Sequence, residues 1–200
     1  MTLRTANADD LEAIMALERA SFPTDAWSEA MMREELASRH GRYLVLEEAG
    51  RLIGYGGIRA VRGGTDADIQ TIALVEGARG RGRGRGLLRS LLTEAGERGA
   101  REVFLEVRAD KPIPQALYVS EGFVEIARRP NYYQPDGVDA IVMRLDLRGW
   151  LAEHSGTDVV DSASEIRSES ASCAPDAPTP AESPTLDRVP TAVSEAGACT

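Results

Sequence analysis

Cysteine is nearly absent from the 200 residues: only Cys173 and Cys199 carry a thiol, and both lie in the last quarter. Residues 1–150 therefore exclude a disulfide framework, a thiolate metal site and a cysteine nucleophile. There are two histidines, His40 and His154, too far apart to share a site by local spacing, so no metal is expected. Long apolar runs are missing too. No stretch approaches the ~18 uninterrupted apolar residues that mark a membrane-crossing helix. The opening Met1-Thr2-Leu3-Arg4-Thr5 lacks the basic-then-apolar pattern of a secretory signal. A cytoplasmic protein with no membrane contact is expected. Positive charge is in deficit, with 23 Lys and Arg against 32 Asp and Glu for a net charge of -9, which disfavours general nucleic-acid binding.

What is present divides unevenly. Hydrophobic residues at 42% and charged residues at 28% are ordinary globular usage, and the length suits one core. The last aromatic is Trp150. Beyond it come prolines 175, 178, 180, 184 and 190, and nine acidic side chains against only Arg167 and Arg188. Such a composition buries too little apolar area to offset its ordering entropy. The expected organisation is a folded domain over 1–149 and an acidic Pro/Ser/Ala-rich disordered tail over 150–200.

Within the folded part, Leu3–Thr5 reads as a short strand. Asp9 or Asp10 caps a helix to about Ala20 with Leu11, Ile14, Met15 and Leu17 on one face, and Ser28 starts a second helix that Gly41 closes. Strands follow at 43–47, 52–58 and 67–74 as an antiparallel meander. Gly54, Gly56 and Gly57 inside a strand mark bulges or close approach, either room for a substrate or a bent sheet. Further on come a helix through Leu87–Leu92, a strand at 102–107, a short helix at 115–120, and strands at 122–126 and 140–144. Early hairpins and late long connections imply a mixed sheet with helices, an α/β or α+β domain.

The chemistry begins at Arg79-Gly80-Arg81-Gly82-Arg83-Gly84-Arg85-Gly86, which joins a strand to an amphipathic helix. The first N–H groups of a helix have no internal partner and the helix dipole favours an anion there. Glycines let backbone approach a phosphate, and arginines add fork-shaped donors. No Lys-Ser/Thr follows, so this is not a Walker loop, and a preceding meander is not the setting of a dinucleotide fingerprint. A phosphate loop of a cofactor site is the favoured reading, ahead of an Arg-Gly RNA-binding box or a plain basic turn.

Arg79-x-x-Gly82-x-Gly84 resembles the pyrophosphate motif of the GCN5-related N-acetyltransferases (GNAT). Further matching stretches are Ile72-Ala73-Leu74, Leu105-Glu106-Val107-Arg108-Ala109, Ala116-Leu117-Tyr118, Glu121-Gly122-Phe123 and Asn131-Tyr132-Tyr133. Within the superfamily the chain is similar to the ribosomal-protein alanine N-acetyltransferases, the RimI group, over about residues 1–147. The resemblance implies a mixed seven-strand sheet with four helices, splayed between strands 4 and 5, where the pantetheine arm of acetyl-coenzyme A lies. It implies that Ile72, Ala73 and Leu74 hold that arm and that Arg79, Gly80, Arg81, Gly82, Arg83, Gly84 and Arg85 hold the pyrophosphate. Relatives carry Ser-Asn where this chain has Asp110-Lys111.

Acetyl transfer needs a neutral amine nitrogen, whose proton a carboxylate can accept directly or through one water. The resemblance assigns that role to Glu106, and the proton for the thiolate leaving group to Tyr118. Leu105 and Val107 flank Glu106 with apolar residues on both sides, so periodicity alone does not tell which way it points. Tyr132, Tyr133 and Trp27 are the expected acceptor-groove residues. The implied reaction is acetylation of a protein N-terminal α-amine, that of the alanine terminus of ribosomal protein S18, by a monomer that binds no nucleic acid. The other readings are N-terminal acetylation of broader specificity, lysine acetylation, a non-catalytic acetyl-coenzyme A-binding protein and an RNA-binding module.

Overall fold

The computed structural model describes residues 1–154. Seven strands form one sheet: β1 Thr2–Thr5, β2 Gly41–Glu48, β3 Arg51–Ala60, β4 Asp66–Leu74, β5 Glu102–Arg108, β6 Val124–Tyr133 and β7 Val138–Asp146. Their spatial order is β1-β2-β3-β4-β5-β7-β6. All neighbours are antiparallel except β4 and β5. The parallel pair is joined through helix α3, Arg83–Glu97, since parallel neighbours need a crossover. The other helices are α1 Leu11–Ser21, α2 Glu29–Ala37, α4 Pro112–Ser120 and α5 Leu147–His154. The mixed seven-strand architecture is the one expected, but with five helices instead of four.

The sheet has a core on each face. One is built around α3, with Leu87, Leu88, Leu91 and Leu92 against Ile58, Val103, Leu105 and Leu145. The other, under α1 and α2, gathers Ile14, Met15, Met32, Tyr43, Val45 and Tyr55. Period-2 alternation along β5 sends Val103, Leu105 and Val107 into the α3 core. Glu106 and Arg108 therefore share the opposite face, which the apolar flanks of Glu106 had concealed.

Several element ends differ from expectation for local reasons. Asp10 stands at the N-cap position of α1 but makes no side-chain cap bond to it; instead it accepts the Asn7 N–H at 2.8 Å, and Asn7 Oδ1 accepts the Asp9 N–H at 2.8 Å, capping a 3-10 turn at Ala8–Asp10 that precedes α1. Ser28 caps α2 as read, accepting the Met31 N–H at 3.2 Å, but that helix stops at Ala37 and Gly41 opens β2. Helix α3 begins at Arg83, which puts half of the glycine–arginine run into its first turn. Helix α5 crosses the domain boundary placed at 149, because Trp150 is buried and Leu151 packs on the same core. The segment read as a disordered tail lies, from residue 155 on, outside the described residues.

The strand glycines of β3 are filled from within. A Cβ at Gly54 would overlap Leu74, one at Gly57 would overlap the ring of Tyr43, and one at Gly56 would lie 3.0 Å from Leu91 Cδ1. A register shift falls between Gly57 and Ile58. Bulge and close packing, rather than room for a substrate, account for these residues.

Candidate active site

The parallel pairing of β4 with β5 covers only Asp66–Asp68 against Glu102–Phe104. Beyond it β4 stays paired to β3 as far as Leu74, and β5 to β7 as far as Arg108. The two strands thus part, and among the described residues the facing edges of 69–74 and 105–108 have no strand partner. Such an edge presents backbone N–H and C=O groups at strand spacing, suited to an extended amide-containing chain. Ile72 packs toward the α3 core and Ala73 into the other core, with Leu74 half-buried between them at the strand end.

The glycine–arginine run follows directly. After a 3-10 turn at Glu76–Ala78, the Arg79 Nε donates to the Leu74 carbonyl at 3.1 Å. Gly80 and Gly82 both have φ of +75°, with open space where a Cβ would stand, so it is the left-handed backbone that requires glycine. The first bond of α3 runs from the Gly86 N–H to the Gly82 carbonyl at 2.9 Å, which leaves the N–H groups of Arg83, Gly84 and Arg85 at the open helix end. A Cβ on Gly84 would lie 3.4 Å from Leu74 Cδ1 and 3.8 Å from Leu117 Cδ2, so the end of β4, the start of α3 and α4 meet there.

The four arginines of the run are not equivalent. Arg83 pairs with Glu48 at 2.5 Å, and Arg85 reaches Glu121 at 3.1 Å and the Ser120 hydroxyl at 3.0 Å. Among the described residues, Arg79 and Arg81 are the exposed arginines of the run that no such carboxylate holds. Glu121, with a side chain 0% exposed, also accepts two bonds from Arg89 and one from the Trp150 indole. This buried carboxylate ties α4, α5 and the first turns of α3 together, and so braces the loop.

Glu106 lies on the parted stretch of β5 with its side chain 11% exposed, and its Oε1 is 3.3 Å from Arg129 Nε of β6. Arg129 in turn stacks over Tyr132, 5.6 Å from the ring centroid. Tyr132 and Tyr133 meet edge-to-face at 5.2 Å near the end of β6, so the structure gathers both beside Glu106's neighbours. Burial, with Glu106 adding to it, pushes the Tyr133 hydroxyl pKa upward. Tyr118 is buried on α4 against Phe123, ring centroids 5.8 Å apart, and desolvation pushes its hydroxyl up to about 12. It therefore keeps its proton through neutral pH. Trp27 is half-buried against the α1–α2 core, and its backbone N–H donates to Glu18 at 3.0 Å.

Arg108 escaped the sequence reading. Its guanidinium contacts Asp136 at 2.9 Å, Asp110 at 3.1 Å and Asp25 at 3.4 Å, and lies 5.0 Å from the Tyr133 ring centroid. Spacing i, i+2 on a strand puts it beside Glu106, and that signal was available. Asp25 and Asp136 are distant in the chain, and no local pattern announces them. Among the described residues no group of three or more His, Cys, Asp or Glu side chains could hold a metal ion, and no helix is long and apolar enough to cross a membrane.

A sheet that opens between its one parallel pair, with a glycine-rich helix start at the opening, is the architecture of an acyl-group transferase. The chain belongs to the acetyltransferase (GNAT) family, whose model matches residues 11–123. It is similar to the N-alpha-acetyltransferase RimI of Mycobacterium tuberculosis, with 39% identity over 73% of this chain and 92% of that protein. It is also similar to the ribosomal protein bS18-alanine N-acetyltransferase of Escherichia coli K12, with 35% identity over 73% of this chain and 97% of the relative. The crystal structure of the Escherichia coli ribosomal-protein-S18-alanine N-acetyltransferase superposes with a TM-score of 0.67 at 31% identity, covering 73% of this chain and 93% of that one.

Proposed function

We propose that this enzyme moves an acetyl group from acetyl-coenzyme A to the N-terminal α-amine of a protein, the alanine terminus of ribosomal protein S18. The relatives' names support that acceptor, and the parting of β4 from β5 beside Glu106 is the observation that carries the chemistry. The residues present fit acetyl-coenzyme A. The edge at Ile72–Leu74 offers backbone bonds to an extended amide arm, and the N–H groups opening α3 suit its pyrophosphate. With Arg83 and Arg85 bound to carboxylates, the backbone and the exposed Arg79 and Arg81 supply the anion contacts. When bound, acetyl-coenzyme A supplies the thioester carbonyl.

Glu106 accepts the proton that the acceptor's ammonium must lose, directly or through one water. An α-amine has a reference pKa of roughly 7.7–8.0, far below the ~10.4 of lysine, so the terminal amine is the easier nucleophile at neutral pH. A carboxylate that holds the Arg129 guanidinium is also suited to an ammonium. Tyr118, protonated up to about pH 12, donates to the departing thiolate. Tyr132 and Tyr133 flank the acceptor, and Trp27 shapes its far wall. An acceptor of this kind implies work in the cytoplasm, and the enzyme acts as a monomer without nucleic acid.

The test is thiol release from acetyl-coenzyme A with an S18-like N-terminal peptide, with the same peptide blocked at its terminus but carrying a free lysine, and with peptides of other first residues. Turnover confined to the free alanine terminus is expected. Glu106→Gln should lower kcat by about 10²- to 10⁴-fold while leaving acetyl-coenzyme A affinity intact. Turnover on the blocked lysine peptide would reassign the acceptor, and equal losses in turnover and cofactor affinity would remove Glu106 from the general-base role.

A further inference from the structure

Three separate segments converge on one side chain beside Glu106. Asp25 belongs to the α1–α2 connection, Asp110 to the β5–α4 connection and Asp136 to the β6–β7 turn. Arg108, with its side chain 12% exposed, donates to all three carboxylates. Thr24 adds hydrogen bonds to Asp25 at 2.5 Å and Asp136 at 3.3 Å, so the first and third segments are also joined directly. The Tyr133 ring closes over the guanidinium. At its other end the Arg108 residue is fixed by pairing with Ala140 and by the Gln115 amide, which donates to its carbonyl at 2.9 Å.

We infer that Arg108 is a positioning residue for the acceptor: it clasps the α1–α2, β5–α4 and β6–β7 connections into one wall of the groove in front of Glu106. The inference rests on the peptide-acceptor reading above. A guanidinium is the one side chain that can serve several carboxylates with directed donors, whereas an ammonium is a point charge. Without it, three carboxylates would crowd one another and the connections that carry them would separate. The acetyl-coenzyme A loop, at the start of α3, makes none of these contacts. Removal of the clasp therefore acts on the acceptor and spares the cosubstrate.

The experiment compares full-length wild type, Arg108→Gln, Arg108→Lys and, as a surface control, Arg144→Gln, whose exposed partner is Glu102. Steady-state kinetics vary the S18-like peptide and acetyl-coenzyme A in turn, and backbone hydrogen exchange is followed by mass spectrometry without substrates. Arg108→Gln should raise the peptide KM about tenfold or more and the acetyl-coenzyme A KM by less than about twofold, since misplaced walls cost orientation of the acceptor. Arg108→Lys should fall between, and the control should match wild type. Exchange should quicken at 22–28, 109–111 and 134–137 and stay unchanged in α3. Unchanged peptide KM, parallel rises in both KM values, or exchange that quickens throughout the sheet would each overturn the clasp. A wild type inactive on every N-terminal peptide would instead overturn the acceptor reading. In that case the exchange data alone decide whether the clasp exists, and no local quickening would refute it.

Discussion

Glu18, 1% exposed beneath α1 and α2, carries a carboxyl group met by two neutral hydrogen-bond donors. Its Oε1 accepts the Trp27 N–H, and its Oε2 accepts the Tyr55 hydroxyl. Burial raises its pKa above the ordinary carboxylate value of 4.5, and the two donors offset only part of that. The sign of the linkage follows. The folded chain holds this proton more tightly than the unfolded chain, so stability falls as pH rises from 4.5 through the folded pKa. Gln at this position keeps an acceptor for Trp27 and offers an amide to Tyr55 without a charge to desolvate. Urea midpoints of Glu18→Gln should therefore gain on wild type as pH climbs above 4.5. Midpoints that run parallel at every pH would show that Glu18 carries no displaced proton. Glu121 is equally buried, but two arginines and an indole surround it, so it stabilises as part of a network.

At the scale of elements, strand β3 shows how a local oddity resolves into packing. Gly57 lies under the Tyr43 ring at a register shift, and a methyl group there must displace an aromatic side chain that is 3% exposed. Gly57→Ala should destabilise the fold by about 1–3 kcal/mol, the usual cost of overpacking. Gly77→Ala, where a Cβ meets nothing within 4 Å, should stay within about 0.5 kcal/mol of wild type. Denaturant unfolding of the pair checks this, and equal midpoints would mean that the ring yields freely. The glycines themselves were legible in the sequence, but what fills them was not, because Tyr43 belongs to another strand. The same division runs through the molecule. Helix α1, the Ser28 cap and the meander follow from spacing and local chemistry. Strand β6 is an edge whose residues are almost all exposed, Val124 and Ile126 included, so no alternation marked its true length. Helix α5 carries Leu147, Trp150 and Leu151 at helical spacing, but a composition shift placed across it hid that signal. In the site, the resemblance carried by the motifs along the chain put Glu106 and Tyr118 forward as candidates, whereas the contacts of Arg108 to Asp25 and Asp136 depend on tertiary structure.

For the whole molecule, the basic side chains are almost entirely arginine, with Lys111 the one lysine in the sequence. Arg98 shows the use of that choice: it bonds Glu94 together with backbone carbonyls of Arg39, His40, Gly41 and Ala60, and so pins α3 to β2 and β3. Arg89 and Arg85 do the same for α4 through Glu121, and Trp150 brings α5 to that point. The end of the described chain is thereby linked to the helix that the glycine–arginine run opens. A chain cut after residue 149 loses the buried Trp150, the Leu151 side chain against Gly96, and one donor to Glu121. A chain cut after His154 keeps all three. The shorter chain should lose about 3–5 kcal/mol relative to the longer, the range for removing a buried large aromatic side chain. It should also bind acetyl-coenzyme A more weakly, because Glu121 positions Arg85 in the first turn of α3. Urea melts and calorimetric titration of the two chains, with the full chain alongside, test both effects. The full chain and the one ending at His154 should melt together, since residues 155–200 hold few large apolar side chains and no aromatic. Equal melts for the two truncated chains would place α5 outside the cooperative unit. Unequal melts with equal affinities would uncouple the Glu121 network from the glycine–arginine loop.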